Sequence, residues 1–160
     1  MRLIDVVSFS DGTILMHPYT VPKGGPGFAA PPIIETSINA LPAEIGNLVR
    51  KTLSESRLES ASFDRRRADE TMRSLYRARG VRSWAAFCKE AQFCSVAETE
   101  SGLRVTPQEN RGNRGILGRA DSAFDVPADA DDIRLGKCVI EALRASGRFR
   151  IKDEEVDPDD

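Results

Sequence analysis

The residues able to do acid–base or covalent chemistry are few, and their spacing does not suit it. His17 is the only histidine, which excludes a nucleophile–histidine pair with a second imidazole or a zinc site built on two histidines. It precedes Pro18 in a segment that reads as a strand, and the expectation is a structural or surface imidazole. Cys88 and Cys94 are separated by five residues, outside the two to four of a zinc knuckle. Cys88, on a predicted helix, and Cys138, on the apolar face of another, read as buried inert thiols. Lys23–Gly27 is glycine-rich but lacks the Gly-Lys-Ser/Thr ending and the following helix of a phosphate loop. Asn110–Gly118 is basic and glycine-rich, a weak signal for phosphate contact. Acids are plentiful, yet no two sit at a spacing that argues for general acid–base work; Glu35 stands alone in a predicted strand. No catalytic residue, metal ligand or cofactor site is expected.

The chemistry that remains is electrostatic. Asp121, Asp125, Asp129, Asp131 and Asp132 form an acidic run with no lysine or arginine between them. Arg65, Arg66, Arg67, Arg73, Arg77, Arg79 and Arg82 form a basic cluster. Ile151–Asp160 holds one lysine and six acids, so the net charge of −2 conceals a positive remainder. That tail has little to bury and is expected to be mobile. Two opposed patches on a small protein point to a macromolecular partner more than to a small substrate. Tyr76, Trp84 and Phe87 are expected to anchor a helical insert in the core; RNA-binding aromatic motifs are not visible.

The elements that must hold these patches follow from periodicity. Ala43–Ser56 and Asp132–Ser146 carry the same helical pattern ninety positions apart, matching Gly46 with Gly136, Val49 with Val139, Leu53 with Leu143 and Ser56 with Ser146. A glycine inside a helix costs about 0.8–1 kcal/mol against alanine, so its presence near the start of both suggests close backbone packing, with a sheet as the expected neighbour. Gly12 and Gly102, again ninety apart, lie in turn dipeptides before alternating runs. The pattern predicts two duplicated units of hairpin, loop, strand and helix, at about residues 3–57 and 94–147, with a helical insert over 58–93. Leu3–Phe9 and Thr13–Tyr19 make the first hairpin, with Thr20–Pro32 a loop without regular structure. A short strand follows at Ile33–Ile38 and a helix at about Ala43–Glu59. Arg67–Arg79 and Trp84–Glu90 are the insert's helices, ended by Gly80 and capped by Ser83 respectively. Cys94–Thr99 and Leu103–Thr106 make the second hairpin; Gly115–Leu117 and Ala123–Val126 are strands, and Asp131–Ala145 is the last helix, stopped by Gly147. The fold class is α/β in the broad sense, α+β, with a mixed, largely antiparallel sheet flanked by helices. One domain is expected over 1–150, with 151–160 an acidic tail. A chain of this length can bury roughly 68–70% of its unfolded surface, so it needs no disulfide or metal to fold. Neither a signal peptide nor a run of about 18 apolar residues is visible, and the odd cysteine count favours a reducing compartment, the cytoplasm.

Gly80–Ser146 carries a further pattern. GVRSWAAFCKEAQFCSVAETESGLRVTPQENRG, the apolar-Pro-Ala step Val126–Ala128 with its acids, and the helix LGKCVIEALRAS together resemble bacterial contact-dependent growth inhibition (CDI) immunity proteins. The helix AEIGNLVRKTLSES fits the same family. The resemblance covers about two-thirds of the chain and rests on core and turn features. It implies a non-enzymatic inhibitor that binds the C-terminal toxin domain delivered by a neighbouring cell, as a heterodimer in the cytoplasm. It implies no direct nucleic-acid contact and no membrane. Such toxins are often nucleases, including tRNA-cleaving ones. The family supplies no transferable contact residues, so Asp121, Asp125, Asp129, Asp131 and Asp132 are nominated as toxin-binding from charge alone. The alternative is a nucleic-acid-binding protein using Arg65–Arg82 and the Arg111–Arg119 loop.

Overall fold

The computed structural model describes residues 1–146. The stop expected at Gly147 and the acidic tail Ile151–Asp160 lie outside the described residues. A curled, largely antiparallel sheet flanked by helices organises the chain. Strands β1 (Leu3–Ser8) and β2 (Thr13–Lys23) form the first hairpin, and β3 (Phe28–Ala29) and β4 (Ile34–Ser37) both line the outer edge of β2. Helix α1 (Pro42–Ser54) follows, then β5 (Arg57–Ser62), which pairs parallel to the far end of β2. Helices α2 (Arg65–Arg79) and α3 (Trp84–Cys88) form the insert. Strands β6 (Gln92–Thr99) and β7 (Gly102–Asn110) form the second hairpin, and β8 (Ile116–Gly118) and β9 (Phe124–Pro127) both line the outer edge of β7. Helix α4 (Asp132–Ala145) is the last described element.

The path β4-β2-β1-β6-β7-β9 is palindromic by unit, with β1 and β6 antiparallel at the centre and Asp5 opposite Ser95. Ile4 and Val6 of β1, Ile14 and Met16 of β2, Cys94 and Val96 of β6 and Val105 of β7 point to one face, where α1 and α4 close the main core. Direct cross-strand partners share a face and successive residues alternate. Val7, Leu15 and Phe93 therefore point to the other face, where Leu75 of α2 and Phe87 of α3 cover them. Burial on both faces explains why β1 reads as a nearly continuous apolar run. Tyr76, Trp84 and Phe87 anchor the insert, with Trp84 and Phe87 rings 5.9 Å apart and Tyr76 and Phe87 6.0 Å apart.

The two glycines explain themselves at the crossing of α1 and α4, where each meets the other helix's backbone and not, as expected, a sheet. A Cβ on Gly46 would lie 2.7 Å from the Asp132 carbonyl carbon, and one on Gly136 would lie 2.6 Å from that of Pro42. The contacts are reciprocal at an offset of ninety. The two serines are reciprocal too. Ser56 Oγ accepts from the Leu3 N–H at 3.0 Å, and Ser146 Oγ accepts from the Phe93 N–H at 3.2 Å. Each serine pins the end of its helix to the first strand of its own unit.

The sequence expectations need four corrections. First, α1 stops at Ser54 instead of Glu59, because the chain turns at Ser56 and runs out as β5. Second, Thr20–Pro32 is not irregular throughout: β2 continues through Pro22 to Lys23, and β3 returns beside it. Third, α3 ends at Cys88, where Lys89 leaves helical geometry and Glu90 takes a positive φ of 62°. Fourth, Gly12 and Gly102 are not equivalent. Gly12 sits in the turn of the first hairpin, whereas Gly102 is already paired to Thr99 and Pro127. Ile14↔Thr36 corresponds to Leu103↔Val126, so β2 maps to β7 one residue short of ninety.

Candidate functional site

The acidic run is distributed along β9, two turns and the start of α4, and three of its five carboxylates are already engaged. Asp131 caps α4, accepting from the Arg134 N–H at 2.8 Å. Asp132 accepts from Arg50 Nε of α1 at 2.8 Å, and Arg50 also donates to the Ala130 carbonyl, which clasps the two helices together. Asp125 meets Arg104 of β7 through two parallel bonds, Nε to Oδ1 at 2.9 Å and Nη2 to Oδ2 at 3.3 Å. Those bonds hold the Asp125 carboxyl below its ordinary range. The expectation that this run lacks counter-charge is thus corrected at Asp125 and Asp132, whose arginines come from elements distant in sequence. Asp121, in the short 3-10 turn Ala120–Ser122, and Asp129, in the turn before α4, are exposed. Neither has an ion-pair partner among the described residues.

The arginine cluster is also partly spent. Arg67 forks onto Glu59 of β5 at 2.7 and 2.9 Å. Arg79 donates to Asp11 at 2.7 Å and lies 4.0 Å over the Phe9 ring, and hydrogen bonding at Asp11 holds its carboxyl down to about 2. Arg65 and Arg66 pair within the helix with Asp69 and Glu70, in exposed contacts of small consequence. Arg73, Arg77 and Arg82 are exposed and, among the described residues, without an ion pair. Trp84 Nε1 donates to the Gly112 carbonyl at 3.0 Å, tying the Arg111–Arg119 loop to α3.

A third group of polar residues lies on the second sheet face. Row by row from the helix-covered end, the cross-strand sets are Leu15–Val7–Phe93–Gln108, then His17–Asp5–Ser95–Thr106, then Leu3–Ala97–Arg104–Asp125. Tyr19 flanks the third row by alternation along β2. None of the residues in the second and third rows belongs to either apolar cluster. Asp5 is 5% exposed and His17 3%. The Tyr19 hydroxyl donates to Asp5 Oδ2 at 2.8 Å, while His17 Nδ1 stands 3.4 Å from the Pro18 carbonyl. Burial pushes the Asp5 carboxyl up and, in the same way, the imidazole of His17 down. Gln108 Oε1 is shielded and has no partner. Sequence reading set His17 aside as a structural or surface imidazole and gave Asp5 no role. The available signal was the polar alternation of Asp5, His17, Tyr19, Ser95, Thr106 and Gln108, which only the strand register assembles on one face.

Nucleophilic chemistry has little support in the cysteines. Cys88 and Cys94 are buried, and desolvation pushes the Cys88 thiol up to about 12 and raises Cys94 as well. Cys138 is half-buried, with its thiol also raised by desolvation. Among the described residues no group of three or more His, Cys, Asp and Glu is placed to hold a metal ion, and no helix is long and apolar enough to cross a membrane.

Comparison with known proteins now adds to this geometry. Two solved structures share the fold over 91% of this chain, each with a TM-score of 0.76. One is a protein of unknown function from Neisseria meningitidis, 12% identical and covered over 95% of its length. The other is from a CdiA-CT/CdiI toxin and immunity complex of Yersinia pseudotuberculosis, 16% identical and covered over 97%. No curated protein matches the sequence significantly. The CdiI family model, described as CDI immunity protein, matches residues 31–146. That segment takes in α1, the insert, the second hairpin and α4, well over half of the chain, and the chain therefore belongs to the family of CDI immunity proteins.

Proposed function

We propose that this protein binds the C-terminal toxin domain of its cognate CDI system and neutralises it by occlusion, without catalysis of its own. The family match over residues 31–146 carries the reading. The likeness to a chain of a CdiA-CT/CdiI toxin and immunity complex supports it. The partner is a nuclease, in one version a tRNase, and the complex is a heterodimer formed in the cytoplasm. A nuclease site is positively charged to hold phosphate, so an acidic surface laid over it accelerates association and competes with substrate. Asp121 and Asp129, exposed beside the Asp125–Arg104 pair, supply that charge, with Asp131 and Asp132 holding the start of α4 in place. Such a complex buries roughly 1,200–2,000 Å² in total. Co-expression with the toxin domain encoded beside it tests the reading. Co-purification and loss of nuclease activity towards tRNA are expected, and an unbound, fully active toxin refutes it. The alternative, direct nucleic-acid binding, is favoured by the exposure of Arg73, Arg77 and Arg82 on the insert and of Arg114 and Arg119 in the Arg111–Arg119 loop. It predicts steeply salt-dependent binding of bare tRNA by the purified protein.

A further inference from the structure

The second sheet face is covered on one side only. The pseudo-two-fold passes between Asp5 and Ser95, so it exchanges His17 with Thr106 within the second row. It also exchanges the row of Leu15 and Val7 with the row of Ala97 and Arg104. The first of these rows lies under α2 and α3; its image carries Leu3, Ala97, Arg104 and Asp125 and has none of the described helices over it. Its composition differs in kind from the covered row: Leu3, Ala97 and the Arg104–Asp125 pair, flanked by Tyr19, stand where the covered row has Phe93, Val7 and Leu15. A surface of this composition is not a core awaiting a helix of its own chain. It suits a partner that comes and goes through water, with a polar rim around a desolvated centre.

The centre is Asp5. Its carboxylate accepts from the Tyr19 hydroxyl at 2.8 Å and is steadied by the Gln108 side chain and by His17, its partner in register, but no lysine or arginine among the described residues pairs with it. Gln108 Oε1 stands unpartnered close by in register. No lysine or arginine of the described chain answers these two acceptors. Guanidinium and ammonium groups carry donors only. A buried carboxylate without a cation is costly to the free fold, and such a cost is maintained most readily where a complex repays it. We infer that the half of the second sheet face left uncovered by α2 and α3 is the docking surface for the toxin domain, and that a cationic toxin side chain seats against Asp5. The inference rests on the immunity reading, and it assigns to the toxin the position that the helical insert occupies in the other half.

The test uses the full chain and the purified toxin domain, with affinity by calorimetry and folding by thermal melting. Asp5→Asn is expected to melt at or above the wild-type temperature and to bind the toxin at least tenfold more weakly. Thr106→Trp, half-buried in the second row, is expected to weaken binding similarly by obstruction, and it decides the matter if Asp5→Asn does not fold. Arg77→Ala, on the insert, is expected to bind normally. In double-mutant cycles, one toxin arginine or lysine changed to methionine should lose affinity for wild type but not for Asp5→Asn. Folded Asp5→Asn and Thr106→Trp variants with wild-type affinity overturn the inference, as does a cycle with no coupled cation. Wild-type protein that fails to bind the toxin sinks the immunity reading itself, a distinguishable result.

Discussion

Replacing Gly46 by alanine sets two effects of opposite sign against each other. Alanine is worth about 0.8–1 kcal/mol over glycine in a helix interior. Against that, the new Cβ would stand 2.7 Å from the carbonyl carbon of Asp132, a backbone atom with no rotamer by which to yield. Inserting a carbon into a packed interface costs typically about 1–3 kcal/mol, and a backbone obstacle puts this case at the upper end or beyond. The two helices must separate, which also loosens the Arg50–Asp132 clasp and the contacts of Ile45, Val49, Leu135 and Val139 beneath. The net expectation is a loss of about 2 kcal/mol, or a fall of roughly 4–8 °C in melting temperature for a protein of this size. Gly136→Ala meets Pro42 in the reciprocal contact and should cost about the same. The double variant should cost less than the sum, because helices already moved apart by one methyl accommodate the second. Thermal and urea melts of the three proteins measure this. A single alanine variant that melts higher than wild type, as helix propensity alone demands, refutes the packing argument.

Val139→Asp and Leu143→Asp each place an unpaired carboxylate at a fully buried position under α4 and should abolish soluble expression; unchanged melting of either would mean the wrong face of α4 was assigned to the core. Ser146→Ala leaves the buried Phe93 N–H without an acceptor and should destabilise by about 1–3 kcal/mol, with Ser56→Ala a weaker version at Leu3, both read by urea melts. Asp121→Asn with Asp125→Asn should leave melting unchanged but slow association with the toxin and flatten its salt dependence, measured by stopped flow; normal kinetics would remove the acidic run from the interface. The buried pair supplies opposite pH slopes. Asp5 has a raised folded pKa, so its destabilising contribution develops as pH rises from the unfolded value through the folded one. His17 has a lowered folded pKa, so stability falls as pH drops below its unfolded value near 6.5. Asp5→Asn should therefore gain on wild type with rising pH, and His17→Gln should gain on it as pH falls below 6.5; parallel melting profiles would contradict both.

Much of the local structure was legible because its causes are local. Ser83 accepts from the Ala86 N–H, and Gly80 ends α2 in the left-handed region at φ 79°; the Asp64 cap on Arg66 and Arg67 went unread, so the helix was expected from Arg67 and not from Arg65. Each is a short-range signal that needs no tertiary context. The paired glycines were legible as close packing, though not as packing of α1 on α4, since a single sequence does not say which backbone approaches. What failed was non-local. β5 carries polar residues at most positions and exists because β2 overruns β1 and offers it an edge. β2 passes through Pro18 and Pro22, whose missing N–H groups argue against a strand until the pairing is known. The acidic run looked unpaired because Arg104 and Arg50 reach Asp125 and Asp132 from other elements. The polar centre at Asp5 was invisible for the same reason: five strands contribute to its two rows.

The seam between β1 and β6 bears on how the chain is made. A nascent chain that has emerged only as far as β5 holds α1 with its glycine face bare and β1 with one edge unpaired. Its natural complement is still untranslated. The surface that best imitates that complement is another copy of the same half, because the two units meet across an axis that treats them as equals. Truncated or stalled chains of this protein are therefore expected to associate as pairs, with β1 on β1 and α1 on α1, rebuilding from two short polypeptides the architecture that the complete one makes alone. Size measurements on a fragment comprising residues 1–62 would show it as a dimer whose helices cross through facing Gly46 residues.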